Sequence, residues 1–339
     1  MSKPKHILVI RLSAMGDVAM TVPVLRAFTQ QYPDVKLTVL TRAFFRPLFR
    51  DLNNVTVFHA DLKGEHKGLL GLYKLSRELR RENCDAIADL HNVLRTKILK
   101  FLIYAREIAS IDKGRKSKKD LVKGKKFEQL KTTSQRYADV FETLGFPLDL
   151  SKPSFPKPVT LHAEILEIIR GSNKKRIGIA PFAAHDGKKY PLDLMAQVIK
   201  ELSKNYQVLL FGGGENEIAI LNDFESETDG IINLAGKLQF SEELDVISNL
   251  DVMLSMDSGN AHLAAMLGVK VVTIWGVTHP FAGFAPFNQP DDYALVADRK
   301  QYPKIPTSIY GNKYPDDYKH AAGGVSVEAV VEKIKVVLS

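Results

Sequence analysis

The sequence predicts an α/β protein of two domains, each a doubly wound parallel sheet, facing a central cleft. Three observations carry that expectation. Strand-length apolar runs alternate with helix-period segments through both halves of the chain. The runs are not broken by polar residues, as befits parallel strands covered by helices on both faces. Each half also has a polar, glycine-bearing loop directly after a strand: Ser13-Ala14-Met15-Gly16-Asp17 in the first, Asp257-Ser258-Gly259-Asn260-Ala261-His262 in the second. At 339 residues the chain exceeds what one hydrophobic core usually serves.

In the first half the apolar runs 7–12, 36–41, 55–58, 84–90 and 108–111 read as strands, and segments 18–31, 44–52, 67–83 and 93–104 read as amphipathic helices between them. A helix over 134–144, closed by Gly145, ends this half. Pro147, Pro153, Pro156 and Pro158 mark a stiff linker. After a helix over 162–169, strands are expected at 176–180, 207–211, 231–234, 252–256, 270–275 and 293–297. Pro191 opens a helix over 192–205, and another begins at 261 behind the Asp257 loop. Residues 302–324, rich in Pro, Gly and Tyr, read as irregular, and Ser326 caps a final amphipathic helix, 327–338. The expected boundaries are 1–155, 156–324 and 325–339.

Composition is that of an ordinary soluble protein, 45% apolar and 25% charged. The longest apolar runs fall far short of the roughly 20 residues that span a bilayer. Residues 1–6 are basic, but the run that follows is too short for a signal-peptide core. The single Cys84 excludes an intrachain disulfide and a cysteine-based zinc cluster. A cytoplasmic protein is expected. The net charge of +8 is concentrated, because residues 113–126 hold eight Lys/Arg and one Asp. That stretch reads as a basic loop, either merely solvated or bound to an anionic membrane surface. Nucleic acid is not the expected partner, because aromatic stacking platforms are missing.

The 13–17 loop has one glycine where a dinucleotide fingerprint has three, and no G-x-x-x-x-G-K-[ST] motif occurs. A nicotinamide-dependent oxidoreductase therefore stays only as an alternative, beside a non-enzymatic binder acting through 113–126. Asp17 reads either as a helix N-cap or as a carboxylate aimed beyond the carboxyl edge of a sheet, where such folds bind ligands. Lys188 and Lys189 precede a helix start, against the dipole preference; they are either a solvated pair or a site for an incoming anion. Gly212-Gly213-Gly214 with Glu215 and Glu217 either makes a tight turn or binds ribose. His262 lacks a partner at ligand spacing and no D-x-D occurs, so no metal is expected.

Together and in this order, the loops resemble glycosyltransferase family 9, the bacterial heptosyltransferases of the lipopolysaccharide inner core. Ser13 to Asp17 followed by Pro23 is similar to the family's opening motif, and Asp89-Leu90-His91-Asn92 with Arg95 to its fourth-strand motif. Ala183 through Lys188 with Pro191 resembles its phosphate loop. Asp257-Ser258-Gly259 with His262, then Trp275-Gly276 and Thr278, is the most specific match.

The resemblance implies a GT-B fold of two Rossmann-like domains, an N-terminal one for the acceptor and a C-terminal one for a nucleotide sugar. In that fold the last helix packs back on the first domain. It also implies inverting, metal-independent transfer without a cofactor, from ADP-heptose to a lipopolysaccharide core or related glycolipid. The enzyme would be a monomer, cytoplasmic or peripheral on the inner membrane. By this resemblance Asp17 is the general base and Lys188 holds donor phosphate. Asp257 contacts the donor sugar, Ser258 and Gly259 bind phosphate, and Glu217 holds ribose. Ser13, Met15, Gly16, Ala183, Ala184 and His262 line the donor site, and His91 and Arg95 the acceptor site. Three features depart from the family's pattern: alanines at 183 and 184 in place of hydroxyls, His279 in place of an acid, and the basic stretch as an insertion.

Overall fold

The computed structural model describes residues 3–339, so the first two residues of the basic N-terminal stretch lie outside it. Contacts divide the chain into two units: the chain up to Lys113 with Lys131–Ser154, and Gly114–Leu130 with Phe155–Ser339.

The first unit runs β1 (His6–Ile10), α1 (Met15–Ala19), α2 (Thr21–Gln31), β2 (Lys36–Thr41), β3 (Val55–His59), α3 (Gly68–Arg80), β4 (Ala86–Asp89), α4 (Leu94–Leu102) and β5 (Glu107–Ser110). Its strands are all parallel, in the order β3-β2-β1-β4-β5. Leu8, Ile10 and Ile87 bury one sheet face under Leu72, Leu75 and Leu79 of α3 and Leu99 of α4. Two expected helices come out differently. The 18–31 segment starts earlier, at Met15, and breaks at Met20 into α1 and α2, with Pro23 in the first turn of α2, where no N–H is needed. Residues Ala43–Phe49 form a tighter 3-10 helix around Pro47, which lacks the N–H an α-helical turn would use.

Residues 114–130 belong to the second unit rather than the first, and they are not simply a solvated loop. Arg115–Val122 form a helix, α5, begun by Gly114 in the left-handed region at φ 59°. Leu121 and Leu130 are buried with Ala282, and the Leu130 N–H donates to Phe281 O at 2.9 Å. Phe127 lies under the Arg299 guanidinium, 3.5 Å from the ring centroid, and edge-on to His279. The charge run hid these few apolar anchors. The chain then returns to the first unit as α6 (Thr133–Thr143), capped by reciprocal bonds between Thr132 and Gln135. Phe141 of α6 packs on Phe28 of α2 with centroids 4.8 Å apart.

The second unit continues with α7 (Ala163–Ile168), β6 (Arg176–Ala180), α8 (Leu192–Ser203), β7 (Gln207–Leu210), α9 (Glu215–Glu227) and β8 (Ile231–Asn233). After these come α10 (Phe240–Ile247), β9 (Val252–Met256), α11 (Gly259–Met266), β10 (Lys270–Trp275), β11 (Ala294–Val296) and α12 (Val327–Leu338). This sheet is also parallel, ordered β11-β10-β9-β6-β7-β8. The irregular stretch after β11 closes on its own small core of Val277, Ala297, Ile305, Tyr318 and Ala321.

The final helix corrects an expectation. Its apolar face, Val330, Val331, Ile334, Val337 and Leu338, is part of the second unit's core, where α12 packs against α8. Lys270 Nζ donates to Val337 O at 2.7 Å, and Lys175 reaches Leu338 O, satisfying carbonyls at the helix C-terminus with cations. No helix among the described residues is long and apolar enough to cross a membrane.

The only tryptophan, Trp275, is buried in β10, so its emission reports on the second unit. Ile334→Ala should cost about 2–5 kcal/mol. The denaturant midpoint of the Trp275 emission change should fall accordingly; an unmoved midpoint would refute this packing of α12.

Candidate active site

In each sheet one pair of neighbouring strands sends its connections to opposite sides. In the first sheet the pair is β1 and β4; in the second it is β6 and β9. The loops after such a pair diverge and leave a crevice at the carboxyl edge, the position where open α/β sheets bind ligands. The loops holding Asp17, His91, Lys188 and Asp257 leave these four strands, whereas the glycine loop before Glu217 leaves β7 and Gly276 and Thr278 follow β10.

In the first unit, register pairs Ile10 with Asp89, so residues 11–17 and 90–95 emerge side by side. Asp17 sits in the first turn of α1. It is not the N-cap, which is Ala14, although the Ala14 N–H approaches its Oδ2 at 3.4 Å. Arg11 Nη2 meets Asp17 Oδ2 at 2.5 Å, while Arg11 Nη1 donates to Leu90 O at 2.8 Å. One buried guanidinium thus ties the two loops together. The Arg11 side chain is 8% exposed and that of Asp17 30%, so the carboxylate is held from beneath yet reachable. Tyr137 of α6 donates its hydroxyl to Asp17 O at 3.2 Å. Burial raises that phenol's pKa and keeps it a donor.

His91 accepts the Leu12 N–H on Nδ1 at 3.4 Å. Burial, with Arg11 and Lys113 adding, pushes its pKa down to about 4, so the ring is neutral near pH 7 and carries its proton on Nε2. The loop behind it is anchored by Asp89, fully buried. Its Oδ1 accepts the N–H groups of His91 and Asn92 at 3.1 and 2.8 Å, and its Oδ2 meets Lys100 Nζ at 2.7 Å and Thr96 Oγ1 at 2.9 Å. Arg95, on the first turn of α4, is exposed.

In the second unit Lys188 closes a 3-10 turn, Asp186–Lys188, and reaches the loop after β9. Its Nζ lies 2.8 Å from Asp257 Oδ2 and 3.2 Å from Asp257 O. Thr278 Oγ1 donates to the same Oδ2 at 2.9 Å. The expected conflict between two lysines and a helix start is thus met from within, for Lys189 pairs with Asp186 at 2.7 Å in solvent. Ser258 is the N-cap of α11, its Oγ 3.0 Å from Ser255 Oγ, and Gly259 is the first helical residue. His262 is buried one turn on. Gly276 admits the close passage of Gly187, since a Cβ there would lie 2.3 Å from Gly187 O.

Ala183 is buried and Ala184 exposed in the loop after β6, beside Lys188 in sequence. Glu217 stands apart, after β7, where its Oε2 accepts the Gly213 N–H at 2.9 Å; Glu215 is exposed at the start of α9. Ser13, Met15 and Gly16 lie in the β1–α1 turn of the first unit, half-buried beside Asp17, while the other donor candidates are in the second unit. Arg11, Lys100 and Tyr137 were not anticipated. Arg11 had a signal, a lone charge inside the apolar run 7–12; Lys100 and Tyr137 sit in ordinary helical patterns and had none.

Among the described residues one trio, Glu65, His66 and Glu78, could offer three atoms to a metal ion. Its donors are engaged: His66 Nδ1 accepts from the Asp61 N–H, Nε2 meets Glu78 at 3.1 Å, and Glu65 pairs with Lys74.

Comparison with known proteins points the chain to one family. The chain is similar to the lipopolysaccharide core heptosyltransferase OpsX of Haemophilus influenzae, 24% identical over 345 residues, covering 98% of this chain and 96% of that protein. Its fold is that of a family 9 glycosyltransferase from Veillonella parvula, with a TM-score of 0.77 at 20% identity, covering 98% of this chain and 97% of the other. It is also that of the E. coli ADP-heptose lipopolysaccharide heptosyltransferase II, with a TM-score of 0.70 at 19% identity and 98% of each chain covered. The model of glycosyltransferase family 9 (heptosyltransferase) matches residues 72–311, most of the sequence, and the chain belongs to that family.

Proposed function

We propose that this glycosyltransferase moves a heptose from ADP-heptose onto a lipopolysaccharide core or related glycolipid, with inversion and without a metal ion. The observation that carries the reading is Asp17: a carboxylate at a sheet's switch point, oriented by buried Arg11 and open on its other side. Family membership supports the class of reaction and sets aside the oxidoreductase and the non-enzymatic binder. The proposed donor and acceptor are supported by similarity to proteins named as an ADP-heptose heptosyltransferase and a lipopolysaccharide core heptosyltransferase.

An acceptor hydroxyl ionises far above neutral pH, so its proton must leave as the new bond forms. Asp17 takes that proton as general base while the acceptor oxygen attacks the anomeric carbon, which a single displacement inverts. Neutral His91 offers its Nε2–H, and Arg95 its charge, to the acceptor. The bond from the anomeric carbon to the diphosphate breaks, and the leaving nucleotide gains negative charge. Lys188, the Ser258 hydroxyl and the first N–H groups of α11, from Gly259 on, meet that charge. Asp257 contacts the donor sugar, with His262 behind it, and Glu217 holds the ribose. Backbone N–H groups at Ala183 and Ala184 replace the hydroxyls those residues lack. Ser13, Met15 and Gly16 shape the donor-facing turn around Asp17. No cofactor takes part. The exposed cations of residues 113–126 attract the protein to an anionic membrane surface, and the enzyme works as a monomer.

Asp17→Asn keeps a hydrogen-bond acceptor for Arg11 and Ala14 and removes the base. Transfer should fall by about 10²-fold or more while donor affinity and the circular dichroism spectrum persist. Near-normal turnover in a folded variant would remove Asp17 from the chemistry.

Lys188→Ala should weaken ADP binding by about 1.5–3 kcal/mol, the scale of a charge-assisted hydrogen bond. Lys189→Ala, whose partner is exposed Asp186, should leave it unchanged. Equal losses in calorimetry would overturn the assignment of Lys188.

Transfer in excess EDTA should equal transfer with added magnesium, since Lys188 and helix N–H groups do the work of a cation. A many-fold loss restored by metal would sink the metal-free mechanism.

A further inference from the structure

The helix layer over one face of the first sheet is apolar on both sides. Inward, α3 and α4 bury Leu72, Leu75, Leu79 and Leu99. Outward, Leu69 and Leu70 are 70% and 86% exposed, Tyr73 51%, Leu94 75%, Phe101 90% and Tyr104 88%. The helical repeat gathers them. Leu69 and Tyr73 are one turn apart on α3, while Leu94 and Phe101 are two turns apart on α4 with Lys97 between them. Helices α3 and α4 pack on each other, and Arg80 Nε donates to Leu102 O at 3.0 Å, holding their C-terminal ends side by side. The outer faces therefore form one surface. Scattered single apolar residues need no explanation, but six large exposed ones on or just beyond two packed helices, set among exposed cations, are grounds for an interaction site.

Charge selects the occupant. The two helices carry six basic residues against one acid, Glu78, and that acid is engaged by His66. Lys67, Arg77, Arg81 and Lys97 are exposed, and among the described residues none of them has an ion-pair partner. A second copy of this face would set cation against cation. An anionic bilayer would take the apolar side chains below its headgroups and the cations among its phosphates, the arrangement by which amphipathic helices lie on membranes.

We propose that the outer face of α3 and α4 docks on an anionic phospholipid bilayer, inserting Leu70, Leu94, Phe101 and Tyr104 while Arg77 and Lys97 hold headgroups. This rests on the face alone, not on the role of Asp17. It also differs in kind from the cationic stretch 113–126, whose attraction is charge-borne and screened by salt.

The test uses the full chain with phosphatidylglycerol-containing and pure phosphatidylcholine vesicles. Phe101→Trp should shift its added emission to the blue with the anionic vesicles, against the constant signal of buried Trp275. Leu70→Ser with Phe101→Ser should lower vesicle affinity at least about ten-fold at high as well as low salt, the scale of lost side-chain burial. Its thermal midpoint and its transfer to a delipidated soluble acceptor should be unchanged. Absence of the blue shift, or a double variant that binds vesicles like the parent, would overturn the proposal. So would a dimer that the double variant dissolves while neither protein binds vesicles. Failure of transfer to the soluble acceptor in the parent would count against the proposed reaction and leave the vesicle result standing.

Discussion

Parallel strands cannot be joined by tight turns, so every connection in this chain crosses a sheet face on a helix or long loop. All loops that leave strand carboxyl ends therefore gather at one edge of each sheet. The winding reverses at β1/β4 and at β6/β9, the kind of place where open α/β sheets bind ligands. Asp17, His91, Lys188, Asp257 and Ser258 all stand at these two places. Helix capping, core packing and the placement of charge follow from that single constraint.

The ion pairs at these edges serve geometry more than stability. Taking Lys188 and Asp257 from water costs about as much as their attraction returns, so the pair contributes little net stability. It does join the loop after β6 to the loop after β9, with Thr278 fixing the second carboxylate contact. Asp89 plays the corresponding part in the first unit, anchoring the His91 loop through two N–H groups and Lys100. Arg11 then ties that loop to Asp17. A side chain so over-determined holds the orientation that a proton transfer requires.

Two segments show how neighbours override a local pattern. The stretch from 113 to 126 reads as charge alone, yet Leu121, Phe127 and Leu130 fasten it to the second unit, and α5 forms on that support. The last helix is amphipathic in sequence, but amphipathicity does not say which core its stripe will enter. The gap beside α8 and the lysines at its C-terminus answer that.

The strands and most helices were legible from the sequence because they rest on periodic apolar burial, a property each segment carries by itself. The candidate loops were legible for a related reason: glycine, hydroxyl and acid after a buried strand have few structural uses, and their order along the chain matched one family. Partnership was not legible. Arg11 meets Asp17 six positions on only because β1 ends in a sharp turn, and it meets Leu90 only because β4 lies beside β1. Lys188 and Asp257 are 69 residues apart and touch because β6 and β9 are neighbours. Burial propensity is written residue by residue, whereas a contact between loops depends on strand order, which is decided only when the whole sheet assembles.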